Sequence, residues 1–433
     1  MSGVHKANPA LGLVILVSAV LMFPRVLSAQ VPSPEEMWRI IQAQQQTIEE
    51  LKARLDETDR SVEENLSALE VTADAVEAVT MRSDAGPGHE TFIGGYGELH
   101  YNNLSDDMTV DGDDSLDRTD FHRYVLFVGH EFNESIRFFS ELELEHSLSG
   151  DGEPGEVELE QAWIEMDLND RHRIRAGLDI LPIGIINPTH EPDTFYGVER
   201  NRIESEIIPA TWWEAGLALN GELAPGWNYD LVLHNGLAVP TSGGSAFRPR
   251  SGRSKIAEAD DLALASTARI RYTAIPGLEL SLAGQYQDDI TGTSDDIDIS
   301  ATLLESHVIW QHRSGLGLRA LYARWDMGDD PALDPAVFNA GSLSGWYIEP
   351  SYRFRIGEGR WGDLGIFARY SSWDERNQVG GAHRFEEFEQ ITTGLNWWPH
   401  DNVVIKFDAQ WEDADGQVDR TLDGINLGLG YQF

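Results

Sequence analysis

Residues 425–433 read Ile425-Asn426-Leu427-Gly428-Leu429-Gly430-Tyr431-Gln432-Phe433. Large apolar side chains hold every odd position, and asparagine, glycine and glutamine fill the even ones. A period of two is that of a β-strand, whose side chains alternate between its faces. One face of this strand is wholly apolar; the other is polar or bare and carries no charge.

The same alternation recurs upstream, in Leu278-Leu280-Leu282-Gly284-Tyr286, in Ile348-Pro350-Tyr352-Phe354-Ile356 and in Val403-Ile405-Phe407-Ala409-Trp411. From Thr91 onward about sixteen segments of roughly ten to fourteen residues carry it in whole or in part. Strands of soluble sandwiches are commonly about six residues long, whereas a tilted strand crossing a bilayer needs about ten. The connections alternate as well. Asn169-Asp170, Ala224-Pro225-Gly226, Ile275-Pro276-Gly277, Glu358-Gly359-Arg360 and Pro399-His400-Asp401 are tight, and the links between them (105–117, 288–298, 327–340 and 412–420) are long and acidic. Short turns on one side and long loops on the other are the pattern of an outer-membrane barrel. The expected fold is therefore all-β, a sixteen-stranded antiparallel transmembrane β-barrel over 90–433, preceded by an α-helical coiled coil. Aromatics near the strand ends, among them Trp212-Trp213, Trp325, Trp361, Trp397-Trp398 and Trp411, are expected to form girdles at the membrane interfaces.

The amino-terminal part has a different period. His5 and Lys6, an apolar run from Leu11 to Phe23, and Leu27-Ser28-Ala29 read as a signal peptide over 1–29. The apolar run falls short of the ~20 residues that a spanning helix needs. Within 30–85, Ile41, Ile48, Leu55, Val62, Leu69 and Val76 stand seven apart, which is the repeat of a coiled coil. Polar residues interrupt the second row at Gln44, Thr58, Asn65 and Thr72. This points to a periplasmic rod joining three chains, with a dimer as the alternative. Gly86-Pro87-Gly88 marks the boundary with the barrel.

The chain has no cysteine, which removes disulfides and thiolate chemistry, and no cofactor or metal is expected. Its formal net charge is -41, which excludes nucleic acid as a partner, since binding there requires a basic surface. The only lysines are Lys6, Lys52, Lys255 and Lys406, so positive charge rests almost entirely on arginine.

If the apolar row of each strand faces outward, Arg173 with Arg175, Arg269 with Arg271, Arg353 with Arg355, and Lys406 fall on the lumen side. Two such arginines on one strand face stand about 7 Å apart, a spacing that could pass an anion from one to the next, as rings of cationic side chains do in anion pores. The alternative is that each is paired with a carboxylate on a neighbouring strand and braces the wall; Glu141, Glu143 and Glu145 form such an acidic row. The long connection 183–210 mixes apolar residues, prolines and both signs of charge, as a loop folding into the lumen requires. His190, Arg200 and Arg202 are its constriction candidates. Enzyme motifs are wanting: His190-Glu191 runs into Pro192, and no Gly-x-Ser-x-Gly elbow occurs. His122 and His130, eight apart on one strand, read as structural.

The stretches Phe92-Ile93-Gly94-Gly95-Tyr96-Gly97, Glu141-Leu142-Glu143-Leu144-Glu145-His146, Leu159-Glu160-Gln161-Ala162-Trp163-Ile164, Arg175-Ala176-Gly177-Leu178 and Trp212-Trp213-Glu214-Ala215-Gly216 resemble the porin O and P family of phosphate-selective outer-membrane porins. Phe433 is similar to the carboxyl-terminal aromatic by which such barrels are recognised for assembly. The resemblance implies sixteen strands, a homotrimer, a third loop folded into the pore and a preference for anions. Phosphate-specific members line their pores with many lysines, and here Lys406 alone falls on a lumen row. The expected function is thus a water-filled outer-membrane channel for passive diffusion of small anionic solutes, phosphate or similar. Its partners would be those solutes, outer-membrane lipid, two further copies of the chain and, through the coiled coil, the cell wall. A structural anchor tethering the envelope and a cation-preferring general porin are the alternatives.

Overall fold

A computed structural model describes residues 90–433, except 107–114, 150–152, 244, 257–263, 293–297, 329–341, 380–381 and 416–420. It also describes Trp38, Gln42, Gln45 and Lys52, which are helical; the rest of the expected signal peptide and coiled coil lies outside the described residues. Sixteen strands follow one another. The first eight are β1 Thr91–Asp106, β2 Leu116–Asn133, β3 Ile136–Glu145, β4 Val157–Asn169, β5 His172–Ile180, β6 Trp213–Ala224, β7 Trp227–Asn235 and β8 Leu264–Tyr272. The second eight are β9 Leu278–Gln287, β10 Ala301–Gln311, β11 Leu316–Met327, β12 Ser342–Arg355, β13 Asp363–Val379, β14 Ala382–His400, β15 Val403–Ala414 and β16 Leu422–Gln432.

Each strand pairs antiparallel with its neighbours, and β1 pairs with β16 from Tyr96↔Gln432 to Asp106↔Leu422, which closes the barrel. Phe433 adds a last rung: Gly95 and Phe433 exchange two backbone hydrogen bonds of 3.0 and 2.9 Å. Closure leaves no strand edge open to pair with another chain.

The alternation in the closing strand has the expected geometry. Leu427 is 43% exposed on the outer face and Asn426, beside it, is fully buried on the inner one. Leu231, Leu233, Leu282, Ile366, Ile391 and Ile405 continue the exposed apolar surface around the barrel. Two of the tight turns use Pro-Gly with glycine at φ +77°, Gly226 and Gly277; a Cβ on Gly277 would stand 2.1 Å from Gln311 O. Pro fixes the first central residue of such a turn, and only glycine adopts the second without strain. Two others need neither residue. Asn133 Oδ1 accepts from Ser135 N (2.9 Å) and Ile136 N (3.0 Å), and Asn169 Oδ1 accepts from Arg171 N (3.0 Å) and His172 N (3.2 Å). These are turns closed by an asparagine side chain.

The aromatic girdle is only partly where the sequence put it. Trp361 and Trp411 stand exposed on the outside, but Trp212, Trp213, Trp325 and Trp398 are buried. They turn inward because the third long loop, residues 181–212, enters the barrel and gives them an apolar surface to cover. Ile183, Ile203, Ile207 and Ile208 of that loop pack with Trp212, Trp325, Tyr347 and Trp373, and with Leu237, Val239 and Phe247 of the next loop. Burying a side chain of this size contributes about 1.5–3 kcal/mol, so an apolar core holds the loop inside the barrel.

Candidate functional site

The loop 181–212 is pinned at both ends and along its length. At its base Asn187 accepts from Trp212 N (2.7 Å) and donates to Leu181 O (2.8 Å), tying entry to exit. The fully buried Glu204 accepts from Ile185 N (2.7 Å) and from the hydroxyl of Tyr347 on β12 (2.7 Å). Burial pushes its carboxyl up from the ordinary range, against those hydrogen bonds. At the far wall Val198 N donates to Asp408 Oδ2 on β15 (2.6 Å), Arg369 Nη2 on β13 to Tyr196 O (2.7 Å) and Asn396 Nδ2 on β14 to Phe195 O (3.0 Å). The lumen side of β16 receives the loop on bare backbone: Cβ atoms on Gly430 and Gly428 would stand 2.4 Å from Pro192 Cβ and 3.2 Å from Val198 Cγ1. The loop thus crosses from β5 to the closing strand.

His190, a constriction candidate, lies on the loop's hidden side. It is buried, with Nδ1 3.1 Å from Asn187 O and Nε2 3.3 Å from Glu141 on β3 and 3.4 Å from Glu160 on β4. Burial alone would lower its pKa; the two carboxylates outweigh that and raise it to about 10. His190 thus latches the loop to the wall.

Arg200 and Arg202, the other two constriction candidates, line a cavity beside the loop. Between the loop and the β14–β2 side of the barrel lies a polar cavity of about 390 Å³. Six arginines reach it: Arg118, Arg123, Arg200, Arg202, Arg250 and Arg369. Glu98, Glu199, Glu206, Asp408 and Glu412 oppose them. Arg123 is held by Glu98, Arg369 by Glu349 (2.7 Å) and Arg202 by Glu206 (3.5 Å). Among the described residues, Arg118, Arg200 and Arg250 form no ion pair, and Arg200 Nε and Nη2 are enclosed without a hydrogen-bond partner. Burial and the neighbouring Arg123 guanidinium pull the Arg200 pKa down, and burial with Arg250 pulls that of Arg253 down to about 10. Arg250 came from no sequence motif; it reaches the site by donating to Ser205 O and Ala210 O (2.8 Å each) on the loop.

The arginine ladders are largely braced. Arg173 meets Asp167 (3.1 Å), Arg175 meets Glu165 and Asp179 (2.8 Å each), Arg269 meets Asp230 (2.8 Å), Arg271 meets Glu279 (3.7 Å) and Arg353 meets Asp363 (2.8 Å). The reason is register: Asp167↔Arg173, Glu165↔Arg175 and Asp230↔Arg269 are directly opposed across their ladders. Arg353 and Arg355 line a second cavity, of about 630 Å³ at the short-turn end. Lys406 sits on the lumen row but is buried, its Nζ 3.6 Å from the centre of the Phe195 ring. Phe195 belongs to both cavities.

No family model matches the chain. An uncharacterised protein of Aquifex aeolicus is 27% identical over 350 residues, covering 76% of this chain and 77% of that one. Among solved structures, the anion-selective porin from Comamonas acidovorans aligns with a TM-score of 0.54 at 10% identity, over 80% of this chain and all of its own. OmpF of Salmonella typhi aligns at 0.52 and 15% identity, over 80% and 98%. The outer-membrane channel DcaP of Acinetobacter baumannii aligns at 0.51 and 12%, over 81% and 99%. At such identities the likeness speaks for the fold alone: the chain forms the same kind of closed antiparallel barrel as these proteins.

Proposed function

We propose that the protein is an outer-membrane porin whose lumen passes small solutes by diffusion, with a preference for anions. The closed barrel with its apolar outer face supports the membrane setting, since a belt of exposed leucine and isoleucine this extensive is solvated by lipid, not water. The observation that carries the anion preference is the cavity beside the folded loop, lined by Arg118, Arg200 and Arg250, which form no ion pair among the described residues. Fixed unpaired cations in a narrow, low-dielectric passage attract anions and repel cations.

The test is the reversal potential of the purified protein in planar bilayers under a salt gradient. Anion selectivity is expected, shifting toward cations in Arg200→Glu; a cation-selective wild type that Arg200→Glu leaves unchanged would overturn the preference. Phosphate competing against chloride then asks whether the resemblance to porin O and P extends to its solute. The braced Arg173, Arg175, Arg269, Arg271 and Arg353 contribute to the wall, and Arg355 to the field at the short-turn mouth. In this reading the chain carries a signal peptide over 1–29 and a periplasmic coiled coil over 30–85, and three copies assemble into a trimer.

A second reading follows from the apolar core that fills the β9–β13 side of the interior. A barrel so plugged suits an anchor that ties the outer membrane to the cell wall. A folded barrel without measurable conductance would favour it.

A further inference from the structure

Asp120, His122 and His146 meet at the long-loop end of the barrel, and His122 belongs to the wall of the cavity beside the loop. His146 Nδ1 lies 2.9 and 2.8 Å from the two carboxylate oxygens of Asp120, and His122 Nδ1 lies 3.3 Å from Oδ2. One ligand atom from each of the three falls within 4.8 Å of the others.

Two separate backbone irregularities bring them there. The pairing of β1 with β2 slips between Glu98↔Arg123 and His100↔Asp120, so that three residues of β2 are spanned where β1 spans two. The bulge turns His122 inward, onto the ring of His100 at 4.7 Å and 12°. Bulges at barrel rims commonly re-aim a side chain in this way. His146, just past β3, has φ +51° and donates its backbone N–H to His122 O at 3.0 Å. A non-glycine residue in the left-handed region is uncommon and is kept only where the surroundings enforce it.

We propose that Asp120, His122 and His146 form a binding site for a divalent transition cation of the zinc class. Two imidazole nitrogens and one carboxylate oxygen are a donor set for zinc, nickel or copper, whereas magnesium and calcium take oxygen. Bonds of about 2.0–2.1 Å at tetrahedral angles hold ligand atoms about 3.3 Å apart, and the Asp120–His distances of 2.8 and 3.3 Å lie near that spacing. The side chains are 14% (Asp120), 28% (His146) and 36% (His122) exposed, so an ion can enter from solvent and keep an open position for water or an anion. The site stands whether or not the barrel conducts.

Calorimetric titration of the full chain, folded in detergent, with zinc ion alone tests it. One site of micromolar or tighter affinity is expected, and none for magnesium. His146→Ala and Asp120→Asn should each weaken zinc at least tenfold, while His130→Ala, eight residues along the same strand, leaves it unchanged. Cobalt ion in place of zinc should give the visible absorption of a nitrogen- and oxygen-ligated centre in the wild type and lose it in His146→Ala. Far-ultraviolet circular dichroism confirms that each variant is folded. No binding by the folded wild type, leaving a cluster held by hydrogen bonds only, would overturn the site. So would undiminished binding in both His122→Ala and His146→Ala.

Discussion

Val198 donates its backbone N–H to Asp408 across 2.6 Å, joining the tip of the inserted loop to a strand that begins two hundred residues later in the chain. Asp408 also accepts from Asn426 Nδ2 at 2.8 Å, so one carboxylate holds both the loop and the closing strand.

Asp408→Ala removes the acceptor, and a hydrogen bond to a charged group contributes about 1.5–3 kcal/mol. The loop should detach more often. Single-channel recordings are expected to show a noisier, larger conductance, and Asp408→Asn, which keeps an acceptor oxygen, should largely restore the quiet trace.

Gly430→Val sets a branched side chain where a Cβ alone would stand 2.4 Å from Pro192 Cβ. Overpacking of this kind costs about 1–3 kcal/mol. The expected result is a barrel that still closes but does not seat its loop, seen as protease cleavage within 181–212 that the wild type resists.

The latch at His190 gives a pH dependence with a definite sign. Its pKa is raised from 6.5 to about 10 by Glu141 and Glu160, against burial, with the Tyr96 ring 6.1 Å away. A raised pKa means that the latch contributes fully below about pH 6.5 and is lost as pH rises through about 10. Conductance noise in the wild type should therefore appear only near pH 10, and His190→Gln should show it at pH 7.

Deleting Phe433 removes the two backbone hydrogen bonds to Gly95, each contributing about 1 kcal/mol net, and a ring stacked on Tyr124. Thermal unfolding followed by gel mobility should move down by several degrees. An unchanged transition would mean that the last rung does not help hold the barrel shut.

Strand existence was legible because alternation is a local property: residues 425–433 declare two faces without reference to any partner. The inserted loop was legible by contrast, as prolines and mixed charge among uniformly acidic neighbours. Which arginines stay free was not, because a lumen row gives a side and not an opposite number; Asp230 meets Arg269 only once β7 and β8 are in register. His122 was set beside His130 by spacing, whereas its ring neighbours are His100 and His146, through a bulge that no composition signals. Lys406 shows the same limit. It points inward as its strand requires, but Phe195, from a loop two hundred residues earlier, covers it.

The bare inner face of the closing strand also couples the loop to the closure of the barrel. Pro192 and Val198 rest on Gly430 and Gly428, and that strand is the last in the chain and pairs with the first. Until those two ends meet, the inserted loop has no seat on that side. The strand that completes the ring is thus also part of the floor on which the loop lies, and a side chain added at either glycine would disturb both at once.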